Sequence, residues 1–211
     1  MSPLPSLSQY LSDPCGTLSL PYYKAKDLTP PPELRIVHHR SFRPEDWPGW
    51  LDAPYFRLFH PLRQLPRPVL PPAYRLSAAA PSDCASLAAL LGLCYGGVFQ
   101  ESEVHSWRKR AVFRPELWLL ARTEEGALAG AVLGEYDAAS GEGTLEWLQV
   151  HPDHRRRGLG MALTAALLAR LAGAADFATV SGACSNPTAP EALYRRCGFT
   201  GCDVWHILRR P

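Results

Sequence analysis

Three arginines and two glycines fall within six positions, Arg155-Arg156-Arg157-Gly158-Leu159-Gly160, and no other stretch of the 211-residue chain is better equipped to hold an anion. The first turn of a helix leaves four backbone N–H groups unpaired, and the helix dipole makes that end positive. Arginine adds forked donors that suit phosphate oxygens. Glycine removes the side chains that would keep a ligand off the backbone. The flanking elements supply the rest. Thr144–Val150 is apolar and β-branched enough for a buried strand, and Pro152 stops its ladder. Downstream, Leu159, Leu163, Leu167 and Leu171 recur every four residues, and Met161, Ala162, Ala165, Ala166 and Leu168 widen that stripe. This pattern predicts a helix with one apolar face, closed by Gly173. Strand, turn, glycine loop and helix together make a candidate pyrophosphate cradle. A surface loop with solvated arginines is the competing reading, and the two flanking elements weigh against it.

Two motifs resemble those of a known family. Arg155-x-x-Gly158-x-Gly160, preceded by Val150-x-Pro152, is similar to the acyl-CoA-binding motif of the GNAT superfamily of N-acetyltransferases. Asn186 with Ala192-Leu193-Tyr194-Arg195-Arg196-Cys197-Gly198-Phe199 resembles the family's later helix and the turn beyond it. The resemblance spans roughly residues 74–211. It implies an α/β fold of mixed α+β type: a central mixed, mostly antiparallel sheet with helices on both faces. It also implies an acyltransferase that moves an acetyl group from acetyl-CoA to a primary amine by direct attack in a ternary complex. The donor would be held by Leu148, Gln149 and Val150 on the strand, by Arg155, Arg156, Arg157, Gly158, Leu159, Gly160 and Met161 in the cradle, and by Asn186 and Tyr194. Pro187 and Pro190 stiffen the loop after Asn186, a departure that leaves the alignment of Asn186 open.

That chemistry makes three demands. A lysine-like amine with a pKa near 10.4 needs about 4 to 5 kcal/mol to lose its proton at pH 7. Glu146, on the strand expected to face the thioester, is the candidate base; its alternative is an ion pair or a solvated strand position. Glu135, His38 and His39 are weaker candidates. The developing oxyanion needs a donor, which in the family is a backbone N–H of this strand, here near Leu148. The leaving thiolate needs a proton or a hydrogen bond. Tyr194 matches the family's tyrosine at that point; its alternative is a core tyrosine that orders the last helix. Full proton transfer from a phenol near pKa 10 to a thiolate near 8.5 runs uphill by about 2 kcal/mol, so hydrogen bonding alone is as good an account.

The elements around these residues read as follows. Tyr74–Ser77 is a strand, and Pro81-Ser82-Asp83 opens a helix that runs through Cys94 and ends at Gly96-Gly97. Glu101–Val112 is a second helix or helical pair. Strands follow at 116–122, 127–135 and 144–150, with a polar turn at 137–143. After the long helix come a strand at 177–181, a helix at 190–197 and a strand at 204–208.

Residues 1–72 form a proline-rich extension ahead of an acetyltransferase domain at 73–211. The chain has twenty-one prolines, about twice the usual share of ~5%; Pro3, Pro5, Pro14, Pro21, Pro30, Pro31, Pro32 and Pro44 fall early in it. The extension is too rich in large apolar groups for a disordered tail. It is expected to pack on the core with little regular structure, as a wall of the acceptor pocket or as a stabilising wrap. Leu34–His38 reads as a short strand, Pro44–Trp47 as a helix start, and Pro66, Pro68, Pro71 and Pro72 as a stiff connector.

Composition narrows the alternatives. A net charge of +2 offers no broad basic face for nucleic acid. No run of ~20 apolar residues spans a membrane, and no signal peptide is visible. The six cysteines are then expected as reduced thiols in a cytoplasmic protein. Cys184, Cys197, Cys202 and His206 lack the paired spacing of a zinc site, so no metal is expected. The acceptor is a small-molecule or peptide amine, and since many members of the family pair, a homodimer stays open. The alternative function is a non-catalytic acyl-CoA-binding regulatory module. A mononucleotide site is poorly supported, because no Lys-Ser/Thr pair follows the glycines.

Overall fold

The computed structural model describes residues 4–211, so Pro3 lies outside the described residues. Two compact units are present: the chain up to His60 together with Thr179–Pro211, and Pro61–Ala178. Secondary structure in chain order is α1 (Leu7–Ser12), α2 (Pro14–Thr17), α3 (Tyr22–Asp27), β1 (Leu34–His38), β2 (Leu51–His60), β3 (Tyr74–Ala78), α4 (Cys84–Tyr95), α5 (Glu101–Trp107), β4 (Phe113–Thr123), β5 (Leu128–Asp137), β6 (Glu142–Val150), α6 (Leu159–Leu171), β7 (Phe177–Ala183), α7 (Pro190–Arg196) and β8 (Thr200–Arg209). The fold is a mixed α/β type with eight strands, and the described ladders are antiparallel. None of the described helices is long and apolar enough to cross a membrane.

In the unit Pro61–Ala178 the strands run in the order β3-β4-β5-β6. Helix α6 lies on one face and α4 with α5 on the other. Glycines let α6 approach closely. A β-carbon on Gly130, Gly134 or Gly143 would sit 3.2, 2.5 or 2.6 Å from a methyl of Leu163, Leu167 or Leu171 respectively. The leucine repeat thus docks onto gaps in the strands. The helix is also buried more widely than one stripe, with Ala162, Thr164, Ala165, Ala166 and Leu168 inside as well. Gly173 does not close it. The C-cap is Ala172 in a right-handed conformation, and the N–H groups of Ala174 and Ala175 donate to the Leu171 carbonyl instead.

The opposite face holds Leu87, Leu90, Leu91, Val104, Trp107, Trp118 and Leu133 in one apolar cluster. Helix α4 ends where expected, at Gly96 with φ +71°. Helix α5 stops at Trp107, short of the expected Val112, because the N–H groups of Arg108, Lys109 and Arg110 turn back three residues in tighter 3₁₀ fashion.

The proline-rich extension is more regular than expected. Strand β1 occupies the anticipated 34–38, while β2 is a ten-residue strand that the prolines concealed. In the other unit the order is β1-β8-β2-β7, so β8 pairs antiparallel with both. Pro54 stands inside β2 opposite His206, and its carbonyl accepts from the Cys184 N–H at 2.9 Å. Proline removes one donor from a ladder and leaves its acceptor in use. The short helices α1 and α2 pack on this unit through a buried arginine. Arg57 is 1% exposed and donates to the Tyr10 hydroxyl at 3.0 Å and to the Pro14 carbonyl at 3.4 Å.

Candidate functional site

Strand β6 ends at Val150, and Pro152–His154 forms one 3₁₀ turn. Arg155 is extended, Arg156 turns left-handed at φ +62°, and Gly158 turns again at φ +86° as the N-cap of α6. Gly158 offers no side chain to cap the helix. Among the described residues, no hydrogen-bond acceptor meets the backbone N–H groups of Arg156, Arg157, Gly158, Leu159, Gly160 or Met161; the first bond of α6 runs from Ala162 to the Gly158 carbonyl at 3.0 Å. Six successive amides are therefore open at the positive end of a 13-residue helix. A non-glycine residue at positive φ is strained, and Arg156 holds such a conformation in the middle of this loop.

The three arginines are not equivalent. Arg155 folds back, its Nε donating to the Val150 carbonyl at 3.2 Å and its Nη2 lying 3.9 Å from the Cys94 sulfur. Arg157 donates to the Tyr74 hydroxyl at 3.4 Å, and that hydroxyl lies 3.0 Å from His154 Nδ1. These groups line a cavity of about 210 Å³ with Thr123, Glu124 and Glu125. Arg156 is exposed, and no described residue forms a hydrogen bond or ion pair with its side chain. Tyr74 and His154 carried no mark in the sequence as parts of this loop. His154 stands inside the motif and could have been noticed, whereas Tyr74 comes from eighty residues away.

Strand β6 carries a bulge. Leu133 pairs with Trp147 while Gly134 pairs with Leu145, so the register steps past Glu146, an extra residue on β6. Bulges bend a strand and loosen its ladder, and they occur often beside active sites. Beyond it, Leu148 and Val150 are half-buried and Gln149 is 3% exposed, its Nε2 donating to the Tyr95 hydroxyl at 3.3 Å. Glu146 is half-buried on the bulge itself. Glu135 is buried and paired with Arg110 at 3.0 Å. The Cys94 thiol, donating to the Val150 carbonyl at 3.7 Å, is pushed up by burial, with Arg155 opposing.

Asn186 and Tyr194 belong to the other unit. The Asn186 side-chain oxygen accepts from the Thr188 N–H at 3.0 Å and from its hydroxyl at 2.8 Å, which turns the loop toward α7. Tyr194 is 5% exposed, and its ring packs on Phe56 at 6.2 Å and on Phe199 at 5.9 Å between centroids. A cavity of about 360 Å³ opens beside Asn186, Glu191 and Arg195. His38 lies 3.0 Å from Asp203 and beside His39, and burial holds its pKa below the usual histidine value. These two histidines and Asp203 bring three potential metal ligands together. Arg40 also reaches that carboxylate at 3.2 Å, and a guanidinium there opposes a second cation.

The sequence model of the acetyltransferase (GNAT) domain matches residues 114–201, from β4 to the start of β8. That stretch, less than half of the chain, is similar to a GNAT acetyltransferase domain. Solved structures similar to it include a GCN5-related N-acetyltransferase from Sphaerobacter thermophilus, at 22% identity with a TM-score of 0.68, covering 90% of this chain and 65% of that one. A Drosophila protein matches at 20% identity with a TM-score of 0.61, covering 80% of this chain and 54% of the other. The ribosomal-protein-S18-alanine N-acetyltransferase of Escherichia coli matches at 21% identity with a TM-score of 0.52, covering 64% of this chain and 92% of that enzyme. The chain thus spans less than two thirds of the length of the first two. At these identities the likeness is one of fold. No curated protein matches the sequence.

Proposed function

We propose that the chain transfers an acetyl group from acetyl-CoA to a primary amine by direct attack within a ternary complex, and that residues 73–211 do this work with 1–72 as an extension. The observation that carries the reading is the row of six open amides at the start of α6. Such amides suit a diphosphate, which would accept from several at once while the helix dipole favours its charge. The left-handed Gly158 presents backbone there rather than a side chain, and the exposed Arg156 adds a cation. Arg155 and Arg157 brace the loop from its two sides.

In this reading the amine nitrogen attacks the thioester carbon, a C–N bond forms, and the C–S bond then breaks. Glu146 accepts the ammonium proton, directly or through water. A main-chain N–H near Leu148 donates to the oxyanion, aided by a bulge that loosens the strand next to it. Tyr194 donates a hydrogen bond to the leaving thiolate, and Asn186 bonds the pantetheine arm. In this reading the chain works in the cytoplasm, with its six cysteines as thiols.

Burial of Tyr194 between Phe56 and Phe199 favours a second reading, in which this tyrosine is a core residue and the chain binds acyl-CoA as a regulatory module without turnover. One experiment separates the two. Acetyl-CoA is titrated calorimetrically into the chain, and free thiol is then followed against a panel of amines. Binding with thiol release supports transfer. Binding without release from any amine supports the module, and no binding at all sinks both.

A further inference from the structure

The side of β6 that faces α4 and α5 carries a group of aromatic rings that the cradle does not use. Trp147 is there because of the bulge. Gly134, opposite Leu145, faces Leu167 of α6, whereas Leu133, opposite Trp147, belongs to the cluster under α4 and α5. The extra residue at 146 therefore turns Trp147 away from α6. Trp107 stacks on it at 5.5 Å with the planes 6° apart. Tyr95 and Phe99 meet it edge-on at 5.4 and 5.9 Å.

This group is partly open. Tyr95 is 54% exposed and Val98 86% exposed, and Phe99 and Trp147 are half-buried. The segment that carries Val98 and Phe99 is held in place. The Gly96 N–H donates to the Gly92 carbonyl at 2.9 Å, and a β-carbon on Gly92 would lie 2.7 Å from the Gly97 carbonyl oxygen. The Tyr95 hydroxyl accepts from Gln149 on the strand. Partly exposed rings on a fixed scaffold suit an apolar occupant.

We infer that Tyr95, Phe99 and Trp147 form a wall of the acceptor site and select a primary amine that carries an aromatic or bulky apolar group. The inference rests on the acetyl-transfer reading. Trp147 lies between Glu146 and Leu148, so the wall begins one residue from the carboxylate and from the main chain assigned to the reaction. Ring faces and edges cover an apolar substituent, and ring faces also attract an ammonium group. An acceptor carboxylate would meet aromatic rings on this wall and the Glu146 carboxylate beside it. Anionic amines are thereby disfavoured, and small amines leave the wall uncovered.

The test compares phenethylamine, ethylamine and glutamate as acceptors for the full chain with saturating acetyl-CoA. We expect kcat/KM for phenethylamine to exceed that for ethylamine by at least about tenfold, the scale on which apolar pockets discriminate, and glutamate to be poorest. Phe99→Ala and Tyr95→Ala are expected to lower the phenethylamine-to-ethylamine ratio several-fold. Equal ratios in wild type, or an unchanged ratio in both variants, would overturn the wall. Calorimetric titration of phenethylamine into the CoA-bound chain tests the two readings apart. Heat that is lost in Phe99→Ala, without acetylation of any amine, would uphold the wall and overturn transfer. Acetylation of glutamate as readily as phenethylamine would uphold transfer and overturn the wall.

Discussion

Gly158→Ala isolates the backbone conformation on which the cradle depends. The added β-carbon would meet only the Cγ of Pro71, at 3.8 Å, an ordinary contact. Crowding therefore contributes little, and the effect is conformational. Gly158 sits at φ +86°, ψ −5°. An L-residue there costs about 1–2 kcal/mol. Restriction of the unfolded chain by alanine returns about 0.4–1 kcal/mol of that. The net loss is about 1 kcal/mol, which for a chain of this size lowers Tm by about 2–4 °C. If the loop instead relaxes to a right-handed turn, the amides from Leu159 to Met161 no longer converge, and CoA affinity falls by about tenfold or more, equivalent to about 1.4 kcal/mol. Scanning calorimetry and isothermal titration read the two effects separately. Gly173→Ala is the control: Gly173 does not have a positive φ, and a β-carbon there would lie 3.7 Å from the Arg170 carbonyl, so this change should be neutral or raise stability by about 0.4–1 kcal/mol. A Gly158→Ala variant with the Tm and CoA affinity of wild type would refute the argument.

Arg156→Glu should weaken CoA binding more than Arg155→Gln, because Arg155 is turned back onto Val150 and Cys94 while Arg156 is exposed; titration of the two variants decides it. Tyr194→Phe should lower kcat with little change in KM for acetyl-CoA, and the reverse pattern would make the hydroxyl a binding group. Gly134→Ala should destabilise the fold by about 1–3 kcal/mol through collision with Leu167, measurable by urea unfolding. His60 is buried, and desolvation holds its pKa below 6.5. The unfolded chain then binds the proton more readily, so this group's contribution is complete above pH ~6.5 and declines as the pH falls toward the folded pKa. His60→Gln should flatten that part of the stability–pH curve.

The residues that could be read in advance were those with strong local rules. The leucine repeat of α6, the β-branched run of β6, the Gly96 cap and the strand at 34–38 follow from periodicity and backbone preference. The glycine at the head of α6 is left-handed, as a residue chosen for backbone access can be. Features that depend on distant partners left no mark. Pro54 cannot donate to a ladder, yet register with β8 and the carbonyl bond to Cys184 keep it in a strand through 51–60. The bulge at Glu146 hides inside a run whose composition suits an unbroken strand, and it reverses the side on which Trp147 lies. The arginine triplet looked like one charged patch. Contacts with Val150, Cys94 and Tyr74 divide it into two braces and one exposed cation. The purpose of Gly130, Gly134 and Gly143 appears only once three leucines of α6 are set over them.

The backbone amides from Arg156 to Met161 can be observed directly. In a ¹⁵N-resolved NMR titration with CoA, the account predicts that these N–H resonances move together and saturate at one affinity, as each gains an acceptor oxygen. CoA that binds while these resonances stay where they were would contradict it.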